Sequence, residues 1–176
     1  MSDVTRDTPG TGSARLGRAA MGERLGGFIY GTIVVLAVVV AGARAYPHDT
    51  AHIAALAIAT TVAFWLAHVY SHSVAHSIAR GEHLSPAELR HIARREASIM
   101  EAAVPPVAAL LLGAFGLVST QVAVWLAFGL GLIVLAAEGL VVARIERLGL
   151  LGTVAIVAGN VSLGVVLVGL KLFVSH

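Results

Sequence analysis

The chain has no cysteine among its 176 residues, so disulfides, thiolate metal sites, iron–sulfur clusters and thioether-bound haem are all excluded. That absence leaves the redox compartment open. Charge is scarce as well. Only 12% of residues are Asp, Glu, Lys or Arg, and lysine occurs once, at Lys171. A net charge of +2 with 6% aromatics provides no basic patch interleaved with stacking rings, so nucleic acid is not an expected partner. What remains is apolar: 57% of the residues are hydrophobic, and the mean hydropathy is +0.86. A soluble domain of this length has too much surface for its volume to hide so much hydrocarbon. Lipid accepts it, and the expected fold class is an all-α integral membrane protein with the bilayer as its partner.

The order of segments predicts about five transmembrane helices and one interfacial helix. Residues 1–24 are rich in Gly, Ser, Thr, Asp and Arg without an apolar period, the composition of a loose tail. Residues 25–176 read as a single transmembrane domain. Its first span, about 26–45, holds an uncharged run from Gly26 to Ala43 that can cross a core of about 30 Å. Ala41-Gly42-Ala43 also fits a signal-peptidase site, but the long region before the run and the length of the run favour a retained helix. After the Tyr46-Pro47-His48-Asp49 turn, a second helix runs from Ala51 to Arg80 without Gly or Pro, its span covering about 51–76; Gly81 ends it. Ser85, Pro86 and Glu88 form an N-cap, a first-turn proline and a capping box, opening an amphipathic interfacial helix over about 86–97. Three spans follow at about 98–118, 122–143 and 150–174, the first of them interrupted by Pro105-Pro106.

With the N-terminus in the cytoplasm and the C-terminus outside, ten of the twelve basic residues fall on inner segments, leaving only Arg44 and Lys171 outside. The positive-inside rule predicts that asymmetry. Five spans do not divide into equal halves, and no inverted repeat is visible. Glycines in the first and fifth spans, including Gly27, Gly31, Gly159, Gly164 and Gly169, allow helices to approach closely. Packing within the chain is the simpler use of them, and a homo-oligomer seam is the alternative.

Polar side chains inside such a segment are costly, so each one is a candidate. His68, His72 and His76 recur every four residues and share one stripe of the second helix, with Thr61 on the same face. Imidazoles at that interval can grip a transition metal, the one cofactor these residues offer, or pass protons. The plainer reading is an interfacial stripe flanked by the belt aromatics Trp65 and Tyr70. His83 and His91 can extend the set, while His48, Asp49 and His52 at the outer turn read as exposed loop residues. Glu138 lies about sixteen residues into the fourth span, and Glu101 opens the third. Both come to the depth of the histidines, and an isolated carboxylate there must be protonated, paired or wet. The expected partner of Glu138 is a histidine of the second span, or Arg94 or Arg95; for Glu101 the plain reading is a first-turn acid favoured by the helix dipole. Asn160, midway along the last span, is expected to hydrogen-bond across to Thr32, Thr60 or Thr61. Glu101, Glu138, Thr61 and Asn160 thus make a candidate proton or ion relay. Pro105-Pro106 predicts a kink or a helix broken beside a cavity.

The strings Glu23-Arg24-Leu25-Gly26-Gly27-Phe28-Ile29-Tyr30-Gly31-Thr32-Ile33 and Phe64-Trp65-Leu66-Ala67-His68-Val69-Tyr70-Ser71 resemble a group of small bacterial multi-pass integral membrane proteins. The likeness covers most of the helical part. It implies a plasma-membrane location and brings no activity or catalytic residue. Three classes of function remain: a small transporter or channel for protons or a metal cation, a non-catalytic structural or accessory protein, and a histidine-site metalloenzyme. The last fares worst, because five of the eight histidines lie between residues 68 and 91 and later spans hold no second His pair at that interval. No enzymatic activity is expected.

Overall fold

The computed structural model describes residues 9–81 and 84–174, and every regular element in them is an α-helix. In chain order these are α1 (Pro9–Ala45), α2 (Thr50–Arg80), α3 (Pro86–Arg95), α4 (Ser98–Glu101), α5 (Val104–Ala114), α6 (Thr120–Ile145) and α7 (Leu150–Val174).

Local chemistry sets most of the boundaries. Asp49 caps α2 by accepting the backbone N–H of His52, and Gly81, with φ 68°, ends it in the left-handed conformation that glycine adopts without penalty. At α3, Ser85 and Glu88 close the capping box reciprocally, as the spacing predicts. Ser119 caps α6 by accepting from Val122. One segment departs from expectation. The loose tail foreseen for residues 1–24 is helical from Pro9 onward, because Ala, Arg, Leu and Met after it are good helix formers and a first-turn proline is tolerated; residues 1–8 lie outside the described part. The interruption expected at Pro105-Pro106 is present. Pro105 and Pro106 have no N–H to donate to the turn before them, so the chain breaks between α4 and α5. The segment Pro86–Glu101 meets α5 at 53°.

Among the described residues, three helices are long and apolar enough to cross a membrane: Ala20–Ala45 of α1, then α2 and α6. The bent pair makes a fourth crossing if it counts as one span, and the apolar stretch Leu150–Val166 of α7 is shorter. The bundle is organised around α1, which packs on α2, α4, α6 and α7, while α6 also meets α5. Leu36, Ile53, Leu110, Phe128 and Leu135 fill its centre, each almost fully buried. Close approach relies on missing side chains. A Cβ on Gly31 would stand 2.7 Å from the Ile99 carbonyl oxygen, so α1 lies directly against α4. Around the outside, Ile78, Phe115, Leu150 and Leu151 are 75–85% exposed. Such a belt of large apolar side chains is compatible with a membrane location.

Candidate functional site

Polar side chains gather at the end of the bundle where α1 begins, α2 leads into α3, and α6 finishes. Two arrangements there are distinct.

The first is the seam between α2 and α3. His72 and His76 of the α2 stripe lie on the face on which α3 docks. His72 Nδ1 lies 3.1 Å from Glu96 Oε1, and His76 Nε2 lies 3.8 Å from Glu88 Oε1. Arg80 donates to the same Glu88 oxygen at 2.5 Å. Between these pairs, the Trp65 indole N–H donates to the Ala93 carbonyl at 3.0 Å. His68 stands apart: its Nδ1 donates to Phe64 O at 3.0 Å, and its ring packs against Tyr30 with centroids 5.2 Å apart. Glu88 and Ile92 on α3 and Glu96 at its C-terminal cap recur every four residues, so an acid–apolar–acid stripe meets His72 and His76. Hydrogen bonds from the Ser85 backbone N–H and hydroxyl hold the Glu88 carboxyl below its usual range, with Arg80 and His76 adding to the effect. His68, His72 and His76 therefore each answer to a different protein group. Among the described residues, no three His, Asp or Glu side chains are grouped to hold a metal ion. His91 is exposed on α3, and His83 lies outside the described residues.

The second arrangement is Glu138 on α6. Its residue surface is 6% exposed, and neither carboxylate oxygen has a hydrogen-bond partner among the described residues. It lies seven residues after Gly131, whose missing Cβ makes room for Leu36 of α1, so the two share a face of α6. One turn further on, Val142 lines a cleft of about 720 Å³ between α6 and α1. Gly22, Gly26 and Ile29 form its α1 wall, and Glu146 and Arg147 stand at the end of α6. Asn160 of α7 donates to the Leu135 carbonyl at 3.4 Å, and its amide would lie 3.3 Å from a Cβ on Gly139. It therefore sits beside the helical turn that carries Glu138.

Several expected neighbours are apart. Glu138 meets neither the histidines nor Arg94 or Arg95, because α6 packs mainly on α1, α5 and α7, whereas His72 and His76 turn toward α3 and His68 packs on Tyr30. Glu101 forms an exposed ion pair with Arg24 of α1 at 2.9 Å. Arg95 pairs with Glu23. Asn160 reaches a backbone carbonyl, not a threonine: Thr61 donates to Ala57 O at 2.7 Å and Thr32 to Phe28 O at 3.0 Å, each within its own helix. Of the candidate relay, only Glu138 and Asn160 come to one place; Thr61 and Glu101 lie elsewhere. Glu96, 8% exposed, escaped the sequence reading because Arg94-Arg95-Glu96 looks like a solvated run. Its position eight residues after Glu88, in phase with Ile92, was the available signal.

At the opposite end, His52 Nδ1 is 2.7 Å from Asp49 Oδ2, and Tyr46 stacks on the His52 ring at 4.9 Å. The hydrogen bond from the His52 backbone N–H lowers the Asp49 pKa, with the His52 ring acting in the same direction. No protein-family model matches the chain, and comparison with curated proteins and with solved structures finds no match either.

Proposed function

We propose that this chain is a five-span protein of the bacterial plasma membrane, with its N-terminus in the cytoplasm and its C-terminus outside, in which Glu138 takes up and releases protons. The spans are α1, α2, α4 with α5, α6 and α7, with α3 lying at the inner interface. The distribution of arginines supports that orientation. The observation that carries the reading is the buried carboxyl of Glu138, which has no hydrogen-bond partner among the described residues. In hydrocarbon such a group needs a proton, a cation or water to balance it, and ionisable residues kept inside spans commonly mark ion pathways. The cleft lined by Val142 begins one turn away and gives an approach from the arginine-rich, inner end. Asn160 supplies a polar wall beside the same turn.

A second reading is an accessory protein without transport. It draws on the α2–α3 seam, where the paired histidines serve to fix one helix on another. Proteoliposomes enclosing a pH-sensitive dye separate the two. After an external acid pulse, the parent chain is expected to acidify the lumen faster than Glu138→Gln, which has no proton to exchange but keeps the shape. Equal rates for parent, variant and protein-free vesicles would remove the proton reading and leave the accessory one. Metal content of the purified parent, beside a triple variant with Ala at 68, 72 and 76, tests a transition metal at the stripe.

A further inference from the structure

A pocket lies between the end of α2 and the outer side of α3; the His76–Glu88 pair of the seam forms one edge of it, and neither reading uses the rest. It encloses about 490 Å³ and is lined by His76 and Arg80 from α2, and by Glu88, His91, Ile92 and Arg95 from α3. Its volume lies within the range of small-ligand sites, about 300–1,000 Å³. Two guanidinium and two imidazole groups face a single carboxylate. That carboxylate is already committed: Glu88 Oε2 accepts the Ser85 N–H at 2.9 Å and the Ser85 hydroxyl at 2.8 Å, and Oε1 accepts Arg80. An arginine has five N–H donors in a planar fork, so one bond to Glu88 leaves most of Arg80 for another acceptor. Arg95 pairs with Glu23 of α1, and both side chains keep substantial exposure, 39% and 51%. The His91 side chain carries no hydrogen bond or ion pair among the described residues, and neither do the side chains of Arg90 and Arg94 on the same short helix. Two guanidiniums and two imidazoles therefore line a cavity with a single carboxylate, Glu88, among its walls, and Ala87 and Ile92 supply its apolar part.

We infer that this pocket binds a phosphate group, held in a fork between Arg80 and Arg95 with His91 as a further donor. Planar guanidinium pairs suit tetrahedral phosphate oxygens, each accepting more than one N–H. In the orientation proposed above, the pocket sits at the cytoplasmic headgroup level, where basic pockets between helices take anionic lipid headgroups. The phosphate can therefore belong to a lipid or to a soluble phosphate compound. The inference shares the membrane orientation with the proposed function but is independent of Glu138, so either can fail alone.

The full chain, purified in detergent, is titrated with phosphatidylglycerol, with phosphatidylcholine and with inorganic phosphate, and bound species are counted by native mass spectrometry. The parent is expected to bind phosphatidylglycerol in preference to phosphatidylcholine. The double change Arg80→Gln with Arg95→Gln should weaken that binding about twenty-five-fold, about fivefold for each lost cation. Arg80→Lys with Arg95→Lys, which keeps the charge and spares the fold, should retain an intermediate affinity because it loses only the fork. Arg44→Gln with Arg144→Gln, an equal charge loss elsewhere, should match the parent. If millimolar inorganic phosphate displaces the lipid, the site recognises phosphate itself; if it does not, the site recognises the headgroup with its chains. Equal binding of the two lipids, or equal loss in the Arg44/Arg144 control, overturns the inference.

Discussion

Replacing Glu138 by methionine removes two carboxylate oxygens while keeping nearly the same length of side chain. In the bundle those oxygens are buried without a partner among the described residues, and a buried polar group left unsatisfied costs about 1–3 kcal/mol. Against that gain stands the repacking of a site shaped for a carboxyl, less than about 1.5 kcal/mol for a swap that conserves volume. The net expectation is stabilisation by about 1–2 kcal/mol, a factor of about 5–30 in the unfolding equilibrium. For a chain of this size, that is a rise of about 2–8 °C in the thermal midpoint. Far-UV circular dichroism in detergent follows it directly, and the same preparation goes into the dye-loaded vesicles. Stability should rise while proton uptake falls, the pattern of a residue kept for function at the expense of stability. A loss of about 2 kcal/mol or more would refute the reasoning, because it would mean that the carboxyl has a partner holding the helices together.

Other positions give equally concrete outcomes. Gly31→Ala places its Cβ 2.7 Å from the backbone oxygen of Ile99, which cannot yield as a flexible side chain would; it should destabilise by about 1–3 kcal/mol in a thermal melt. Gly159→Ala, with nothing within 4 Å of the new carbon, should be neutral or stabilising by up to about 1 kcal/mol, and equal losses at both glycines would contradict the packing described. His72→Ala leaves the buried Glu96 without its imidazole; a loss of about 1–3 kcal/mol and faster amide exchange along α3 are expected, whereas unchanged exchange would show that the pair does not dock the helix. Acid should loosen the starts of α2 and α3. The carboxyls of Asp49 and Glu88 are held below their ordinary values of 3.8 and 4.5, so their stabilisation is complete above those values and is lost as the pH falls through the depressed ones. Amide protection at His52 and Glu88 should drop in that acid window, and Ser85→Ala, already lacking one cap, should show a smaller drop at Glu88.

Much of the fold is legible from local chemistry. Asp49, Gly81, Ser85 and Ser119 mark helix ends because a cap acts on backbone groups within three or four residues of itself. The apolar runs of α1, α2 and α6 follow from the width of a bilayer, and Pro105-Pro106 announces a break because proline has no N–H to give. The stripe of His68, His72 and His76 likewise follows from the helical period. What those side chains meet was decided by helix packing. Glu96 reaches His72 only because α3 folds back over α2, and a one-turn shift in that crossing would give the histidine another neighbour. Asn160 finds the Leu135 carbonyl, 25 residues away, because glycine at 139 lets α7 close on α6. Glu138 was visible in the sequence as a costly acid, but its isolation was not. That depends on α6 turning this face toward α1 and away from the arginines and histidines, a choice made by the summed packing of Gly131, Leu36 and Leu135 rather than by any spacing along the chain.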